Sequence, residues 1–480
     1  MSDREQTEKT YNYTGLGIWL ILFLVTVLMS TVYSVYAQDD AFITYRYARN
    51  LVSGNGFVYN LGEPILGTST PLYTLLLALL SKLTQQPIPE ISHTISLLSA
   101  WITSAIIYEI GKKNGHIVAL TAALLYLTNY ILVLSIGMET LFLNAMLLAA
   151  IWAYTTKRLT WTAILGGLLI LTRYEMGLMV AIIVTHYILE NKRLPFWIWP
   201  TIVVVAPWLL YAYIQFGQPI PQSVISKLAA ERIPFLLGAL VNWKLLSDQL
   251  ILFNLFAFFI LLGFVKLAKQ VANNLAHNLI LIWTGTYLFV ASFLAGSFPW
   301  YYGPLIPGLI ILVVYGIEFV AQQPKTSTTT LSDTGGAIAV RNYLFYNIAA
   351  VLILIQLFYW AVDWRAHRGT ISDSRFPMYS EVTDWLSINS VSGQSLATEE
   401  IGYLGYYTDM RIIDLHSLVT VYSSGTTVPE ALSQSLEVHS PDFVLIYTDN
   451  KSIDILVADG RYLLERDFGD GLLTLFSMIE

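Results

Sequence analysis

The sequence has no cysteine and few charged residues, which make up 12% of its 480 positions. Without cysteine the chain forms no disulfide and offers no thiolate to a metal ion. Its 7 histidines are scattered, and no H-E-x-x-H or comparable spacing occurs, so no zinc site is predicted. A formal net charge of −7 also argues against binding to nucleic acid.

The sequence is rich in apolar residues. They account for 55% of the chain, and the mean hydropathy is +0.58, well above that of a soluble domain. Aromatic residues reach 14%, as expected where ring side chains anchor many helix ends at the two membrane interfaces. The composition therefore predicts a mainly α-helical polytopic membrane protein.

The first apolar run, residues 15–37, ends in "VYA", which has the small-residue pattern of a signal-peptide cleavage site. The run is about twice as long as the apolar region of a signal peptide. We therefore expect it to be retained as the first membrane span.

The stretch "TPLYTLLLALLSKL", residues 70–83, decides how the rest of the chain crosses the membrane. At about 14 residues it is short for a span, and counting it as one would reverse the orientation of everything that follows. If it stays at the interface or re-enters, the basic residues of five later loops all fall on the cytoplasmic side, as the positive-inside rule requires. These are Lys112 and Lys113, Lys157 and Arg158, Lys192 and Arg193, Lys266 and Lys269, and Lys325 and Arg341.

About eleven spans follow from this choice. With the N-terminus inside, an odd number of spans puts the C-terminal part outside, together with "QDDAF", "GMETLF", "TRYEM", "GSFPWYYGP" and the loop 216–247. Residues 322–341 are rich in Ser, Thr and Gly and are predicted to form a flexible cytoplasmic linker. The predicted spans lie near 15–37, 92–111, 117–136, 140–156, 159–173, 175–190, 195–215, 248–268, 277–296, 301–321 and 342–362.

Two domains are predicted, a membrane domain over residues 1–362 and an exterior domain over residues 363–480. The first exterior loop of the membrane domain, residues 38–91, carries the candidate catalytic residues. The tail is acidic, with about 18 acidic and about 7 basic residues.

The tail has the pattern of a small α/β domain. The short β-rich runs "SLATEE", "RIIDL" and "FVLIY" alternate with helical stretches near 378–388, 428–438 and 450–458. The run "YLLERDFGDGLLTLFSM" predicts a closing β-hairpin around Gly469 and Gly471.

Two adjacent carboxylates, Asp39 and Asp40, directly follow the first span. One of them fits a cap for the amphipathic helix that begins there, but capping does not explain both. Adjacent carboxylates at a membrane boundary repel each other and need a compensating helix N-terminus, cation or metal ion. The dipole of the same helix would keep an aspartate ionised, which is the state that a general base needs. Arg46 and Arg49 lie on one face of this helix and suit either a phosphate or lipid headgroups.

The run "DDAFITYRYARNLVSGNGFVYNLGEPILGTSTPLYTLLLALL" resembles the first exterior loop of GT-C membrane glycosyltransferases, most closely their arabinofuranosyltransferase-like branch. The related aminoarabinose and protein mannosyl transferases also place an acidic pair just after the first span. The resemblance extends through "SIGMETLFLNAML", "LTRYEMGL", "FPWYYGPLIP" and "ATEEIGYLGYYTDMRIIDLHSLV". It implies a GT-C fold and transfer of a sugar from a polyprenyl-phosphate donor on the exterior (periplasmic) face, with one acid of the pair deprotonating the acceptor hydroxyl.

Three further charged residues fit this resemblance. Glu139 matches the family's second acidic position, although its sequence context suits the N-cap region of the next helix equally well. Arg173 and Glu175 lie in an apolar region, where charges are usually functional or paired with each other. The resemblance implies that Arg173 binds the donor phosphate, where a cation would stabilise the charge that builds on the leaving group.

An aromatic run, Trp300, Tyr301 and Tyr302, stands where relatives carry a charged residue beside an aromatic pair. These three side chains are either substrate contacts or interfacial anchors. Clustered carboxylates also suit a divalent cation such as Mg²⁺, Mn²⁺ or Ca²⁺, and some relatives use one while others do not.

Four polar residues of the tail, Glu399, Glu400, Asp414 and His416, suit solvated or capping positions of a small α/β domain. The resemblance instead implies that such a domain covers the active site and helps to bind the acceptor.

These features favour an inverting glycosyltransferase of the cell membrane, transferring a hexose or pentose. A carboxylate takes the acceptor proton while phosphate leaves from the opposite face of the sugar, so one displacement inverts the configuration. Its partners would be the lipid-linked donor, membrane lipids, and a glycan, lipid or protein acceptor of the cell envelope. A transporter or flippase of a lipid-linked sugar is the main alternative, but the sequence has no internal repeat of the kind that transporters carry. A non-catalytic sensor or assembly protein on the same scaffold is the second.

Overall fold

A computed structural model describes residues 3–32, 38–229, 234, 236–241, 244, 253–269, 274–293, 298–322, 334–366, 375–391, 393–423, 426–448 and 450–479. The described part is helical up to residue 366 and α/β from residue 375 onwards. Helices are expected for the apolar part, because a helix satisfies its own backbone hydrogen bonds where lipid offers none.

The helices of the membrane part are α1 (Asp3–Val32), α2 (Asp39–Val52), α3 (Pro71–Thr84), α4 (Ile88–Gly111), α5 (His116–Leu127), α6 (Tyr130–Val133), α7 (Thr140–Thr155), α8 (Leu159–Thr172), α9 (Gly177–Asn191), α10 (Trp199–Phe216), α11 (Gln222–Ala229), α12 (Phe253–Lys269), α13 (Leu275–Ala291), α14 (Ile306–Ala321) and α15 (Thr334–Ala366). Turns of 3₁₀ helix occupy Lys112–Asn114, Tyr174–Met176, Phe196–Ile198 and Pro299–Leu305.

Within the described residues, 4 helical stretches are long and apolar enough to cross a membrane: Ile88–Asn114, Phe196–Phe216, Trp300–Ala321 and Val340–Val362. The other apolar helices are shorter, and one of them is α3, the segment predicted to stay at the interface. The chain is therefore a membrane protein, but the count of eleven spans is not confirmed. The sidedness of the helices stays a prediction.

Two predicted segments differ from the structure. The span predicted over 117–136 is interrupted, because α5 ends at Leu127 and the Asn129 side chain accepts the Ile131 N–H at the start of α6. A side chain that competes for backbone hydrogen bonds in this way ends a helix despite apolar neighbours. The linker predicted over 322–341 is wrong from Thr334 onwards, where α15 begins.

Other predicted segments fall partly outside the described residues. These are the end of the first span, at 33–37, much of the loop 216–247, the start of the span 248–268, the end of the span 277–296, and the linker at 323–333.

Glycines allow close packing between the described helices α12 and α14. A Cβ atom on Gly263 would lie 2.1 Å from the Leu312 carbonyl oxygen, and one on Gly316 would lie 2.0 Å from that of Phe259. The two backbones thus touch directly, as small residues permit in membrane helices.

The tail forms a five-stranded sheet with helices, as predicted. The strands β1 (Ser395–Thr398), β2 (Arg411–Asp414), β3 (Phe443–Tyr447), β4 (Tyr462–Phe468) and β5 (Leu473–Met478) lie in the order β2-β1-β3-β5-β4. The first three are parallel, and β4 and β5 form the predicted antiparallel hairpin. Its helices are α16 (Phe376–Asn389), α17 (Tyr403–Tyr407), α18 (Val428–Val438) and α19 (Asn450–Asp459).

The segment 38–91 and the tail share one hydrophobic core. Phe42 of α2 packs edge-on against Phe376 and Tyr403 of the tail, with ring centroids 5.7 and 5.3 Å apart. The same cluster of buried residues includes Tyr45 and Leu404. This packing brings the tail over the acid pair at the start of α2.

Candidate active site

A cavity of about 370 Å³ lies where the segment 38–91, the start of α7, the end of α8 and the tail meet. Its lining combines carboxylates, arginines, hydroxyl groups and aromatic rings. The lining residues are Asp39, Asp40, Ile43, Thr44, Gly67, Thr68, Ser69, Thr70, Met138, Glu139, Arg173, Ser223, Phe298, Trp300, Tyr301, Arg375, Glu399, Glu400, Ile401, His416 and Leu418.

Four residues predicted from separate motifs, Asp39, Asp40, Glu139 and Arg173, line this one cavity. A larger cavity of about 490 Å³ lies beside Asn114, Glu318 and Arg341 and contains none of the predicted site residues. The residues that line the smaller cavity, rather than its volume, therefore identify it as the candidate site.

A break in the helix presents Arg173 to the cavity. Helix α8 ends at Thr172, Arg173 is extended with φ −153° and ψ 128°, and a 3₁₀ turn follows. Its Nε lies 2.5 Å from Glu175 Oε1, and its Nη1 lies 3.3 Å from Glu139 Oε1. The Arg173–Glu175 pair suggested by the sequence is thus present, and Glu139 joins it from the start of α7. Glu139 makes no side-chain capping hydrogen bond to that helix.

Asp39 is buried, and its carboxylate accepts hydrogen bonds from the tail. Its Oδ2 accepts the Gly402 N–H at 3.0 Å, and its Oδ1 accepts the Tyr403 N–H at 2.7 Å. Burial, followed by the nearby Glu400 carboxylate, raises the pKa of Asp39 to about 8. For Asp39, desolvation thus outweighs the helix dipole, and the prediction of an ionised aspartate remains one for Asp40.

Asp40, the second acid of the pair, is only half-buried and lines the same cavity. Both residues belong to the first turn of α2, whose N-cap residue Gln38 makes no side-chain capping hydrogen bond. Asp40 is thus the more accessible carboxylate of the pair.

The structure does not bring Arg46 and Arg49 to the cavity. Arg46 is 4% exposed and donates to the carbonyl oxygens of Gly405 and Met410 at 2.7 and 2.8 Å. Arg49 donates to the Tyr406 carbonyl oxygen. Both guanidinium groups face the tail, because the amphipathic face of α2 packs against protein rather than against a phosphate or lipid headgroups.

The aromatic run divides between the cavity and the core. Trp300 and Tyr301 line the cavity, and Trp300 stacks on Phe298 with ring centroids 4.6 Å apart and planes 4° apart. The Arg173 guanidinium lies 5.6 Å from the Tyr301 ring centroid, within the range of a cation–π contact. Tyr302 is buried in the helical core instead.

The tail supplies one charged group, Arg375, that the sequence did not single out, beside acids and a histidine that it did. Arg375 donates from Nη1 to Glu400 Oε1 at 2.7 Å and to the Tyr447 hydroxyl at 3.3 Å. On the same wall, His416 Nε2 lies 3.6 Å from Glu399 Oε2. No sequence motif marks Arg375, since its partner lies 25 residues away on another element.

Asp414 is the residue of the tail for which the capping interpretation is confirmed. It accepts the backbone N–H groups of His416, Leu418 and Val419 and thereby holds the turn that carries His416 to the cavity.

The described carboxylates are not grouped as the ligands of one metal ion. No group of three or more His, Asp or Glu side chains in the described ranges converges with the spacing of metal ligands. Glu139 faces Arg173, and both oxygens of Asp39 accept backbone N–H groups, so neither is directed at a shared cation. We therefore derive no step through a metal ion.

Two of the solved structures that resemble the chain do so over nearly its whole length. Both are crystal structures of ArnT from Cupriavidus metallidurans, one in the apo state and one bound to undecaprenyl phosphate. Their TM-scores are 0.61 and 0.59, their identities are 10% and 11%, and 98% of this chain and 98% of each ArnT chain are covered. This likeness shows the fold alone. The chain has an ArnT-like GT-C fold, and the arabinofuranosyltransferase-like branch is not distinguished.

The model of a family described as "Domain of unknown function (DUF8728)" matches residues 367–476, which is the tail. No curated protein sequence matches the chain.

Proposed function

We propose that the chain is an inverting glycosyltransferase that moves a sugar from a polyprenyl-phosphate donor to an acceptor hydroxyl at the exterior face of the membrane. The observation that carries this proposal is the single cavity in which the acid pair meets Arg173. The ArnT-like fold supports it, since one of the ArnT structures is bound to undecaprenyl phosphate.

Arg173 receives the donor phosphate in this proposal. Negative charge builds on the phosphate as the glycosidic bond breaks, and a fixed guanidinium in a largely buried site stabilises that charge. Glu139 and Glu175 hold the guanidinium in place from two sides. A phosphate is already a good leaving group, so a cation is needed more than a general acid.

Asp40 takes the acceptor proton. It is the more accessible acid of the pair, whereas Asp39 is buried, is bonded to two backbone N–H groups and has a pKa raised to about 8. As the acceptor oxygen attacks the anomeric carbon, its proton moves to the Asp40 carboxylate and phosphate leaves from the opposite face. One displacement of this kind inverts the configuration and needs no covalent glycosyl-enzyme.

Separate replacement of the two acids tests this assignment. Radiolabelled sugars on undecaprenyl phosphate are supplied as a panel to native membranes, and transfer is followed in Asp39→Asn and Asp40→Asn. We expect Asp40→Asn to lose about 10²-fold or more in transfer rate, the contribution of a general base, and to keep its affinity for undecaprenyl phosphate.

Unchanged transfer in both variants would end the enzymatic proposal. Movement of the intact lipid-linked sugar across proteoliposomes, without transfer, would instead favour a flippase.

A further inference from the structure

A segment of the tail, residues 402–412, is held along its length by α2 and the loop that follows it. We call residues 402–412 the clamped segment. At its start, Asp39 accepts the N–H groups of Gly402 and Tyr403. At its end, Asn60 donates to the Ile412 carbonyl oxygen at 2.8 Å and accepts the Ile412 N–H at 3.0 Å. Asn60 thus pairs with the outer edge of β2 as a neighbouring strand would.

Arg46 forms the middle of this contact. Its guanidinium donates to the carbonyl oxygens of Gly405, Met410 and Tyr59 and to the side-chain oxygen of Asn60, at 2.7, 2.8, 2.8 and 3.2 Å. It makes no ion pair with a carboxylate in the part of the chain that the structure describes. A buried charge that is satisfied by neutral acceptors is costly to expose or to lose, because each freed carbonyl would remain buried.

The clamped segment also packs closely against α2 and the loop that follows it. A Cβ atom on Gly402 would lie 2.0 Å from the Asp39 carbonyl oxygen, and one on Gly405 would lie 1.9 Å from the Tyr59 hydroxyl oxygen. The φ of Gly402 is −70°, so close approach rather than backbone conformation excludes a side chain there.

We propose that Arg46 is a positioning residue: it docks the clamped segment on α2 and thereby fixes the acid pair at the start of that helix. The inference rests on the proposed glycosyl transfer for its catalytic consequence. The docking itself stands on the contacts alone. The first exterior loop and the tail then act as one rigid unit.

This assignment excludes a tail that opens as a lid at every turnover. Opening would break the two hydrogen bonds of Asp39 and at least two of those of Arg46, and would expose the apolar core that Phe42 shares with the tail. In this proposal the contact between the tail and α2 stays closed while substrates enter the cavity.

Replacement of Arg46 by lysine in the full chain tests the proposal, with Arg49→Lys as the matched control. Lysine keeps the charge but cannot span acceptors on three sides, as the planar guanidinium does. Arg49 lies on the same helix outside the cavity, makes one hydrogen bond to the tail and faces the exposed Asp409 at 3.7 Å. Three quantities are measured: hydrogen exchange of residues 402–412, the transfer rate with the panel of undecaprenyl-phosphate sugars, and the Kd for undecaprenyl phosphate.

We expect Arg46→Lys to speed exchange in the clamped segment by about tenfold or more, since several hydrogen bonds to a charged group are lost. The maximal transfer rate should fall by a similar factor, with the Kd for undecaprenyl phosphate changed by less than about twofold. Arg49→Lys should change exchange and transfer by less than about threefold. Gly405→Ala disturbs the same contact from the tail, because its Cβ would clash with the Tyr59 hydroxyl. It should therefore speed exchange and slow transfer as Arg46→Lys does, and it provides a second test if Arg46→Lys folds poorly.

Three results would overturn the proposal. Exchange in residues 402–412 that is unchanged in both Arg46→Lys and Gly405→Ala would refute the docking role. Full transfer in a variant with a freely exchanging segment would show that docking does not position the acid pair. A Kd weakened as much as the transfer rate would make Arg46 a phosphate ligand. If the wild type transfers no sugar, the proposed function fails, and the exchange comparison still decides whether Arg46 docks the segment.

Discussion

A single methyl group added at Gly402 should separate Asp39 from the tail. The alanine Cβ would lie 2.0 Å from the Asp39 carbonyl oxygen and 2.4 Å from Oδ2, well inside van der Waals contact with two atoms of one residue. The backbone cannot yield easily, because the peptide group between Ile401 and Gly402 is held at both ends: its N–H donates to Asp39, and its carbonyl oxygen accepts the Tyr59 hydroxyl. Overpacking of this kind costs about 1–3 kcal/mol.

A cost of about 1–3 kcal/mol corresponds to exchange that is about 5-fold to 150-fold faster at amides that open with this contact. The assay is hydrogen exchange of the full chain read by mass spectrometry over residues 402–412. Gly285→Ala is the control, since its Cβ would meet nothing within 4 Å. Equal exchange in Gly402→Ala, Gly285→Ala and the wild type would refute the tight fit between Asp39 and the tail.

Three further predictions concern the charged and aromatic lining of the cavity. The raised pKa of Asp39 means that the folded state binds its proton more tightly than the unfolded state does. This residue's contribution to stability is therefore present below about pH 4 and is lost as the pH rises through about 8. The melting temperature of Asp39→Asn should not show this pH-dependent loss of stability, and parallel pH profiles of the melting temperature for variant and wild type would contradict the prediction. Arg173→Lys should lower the transfer rate by about 10²-fold or more. Glu175→Gln leaves the cation in place and should lower the transfer rate by less than about tenfold. Equal losses of transfer rate in single-turnover assays would show that the Arg173–Glu175 ion pair is only structural. Trp300→Ala removes the ring stacked on Phe298 and should weaken substrate binding by about 1–3 kcal/mol. The KM should rise with little change in kcat. An unchanged KM would mean that Trp300 anchors the chain at the membrane interface and does not contact the substrate.

The local part of this architecture can be predicted from the sequence. Apolar runs indicated where helices lie, and β-rich runs such as "FVLIY" located the strands of the tail, because burial and side-chain branching act over a few neighbouring residues. The acid pair and Arg173 were identified because charges are rare and costly beside apolar runs, whereas Glu139 was identified from the family resemblance. The interruption at Asn129 was missed, since one capping amide carries little weight against the surrounding apolar residues.

The long-range contacts could not be predicted in the same way. The position of Arg46 on an amphipathic helix indicated a polar partner, and phosphate was a reasonable one. Its actual partners at Gly405 and Met410 lie 359 and 364 residues further along the chain. Arg375 was missed for the same reason, because its importance depends on where the tail folds back over α2. Pairings of this kind are decided by tertiary packing, which leaves no periodic pattern in the sequence.

The most direct measurement is a structure of the full chain with undecaprenyl phosphate bound. We predict that the phosphate lies within hydrogen-bond distance of Arg173, with the Asp40 carboxylate facing the side of the cavity from which an acceptor hydroxyl would approach. A phosphate seated instead beside Glu318 and Arg341, or held by Arg46 in an opened tail contact, would contradict this account.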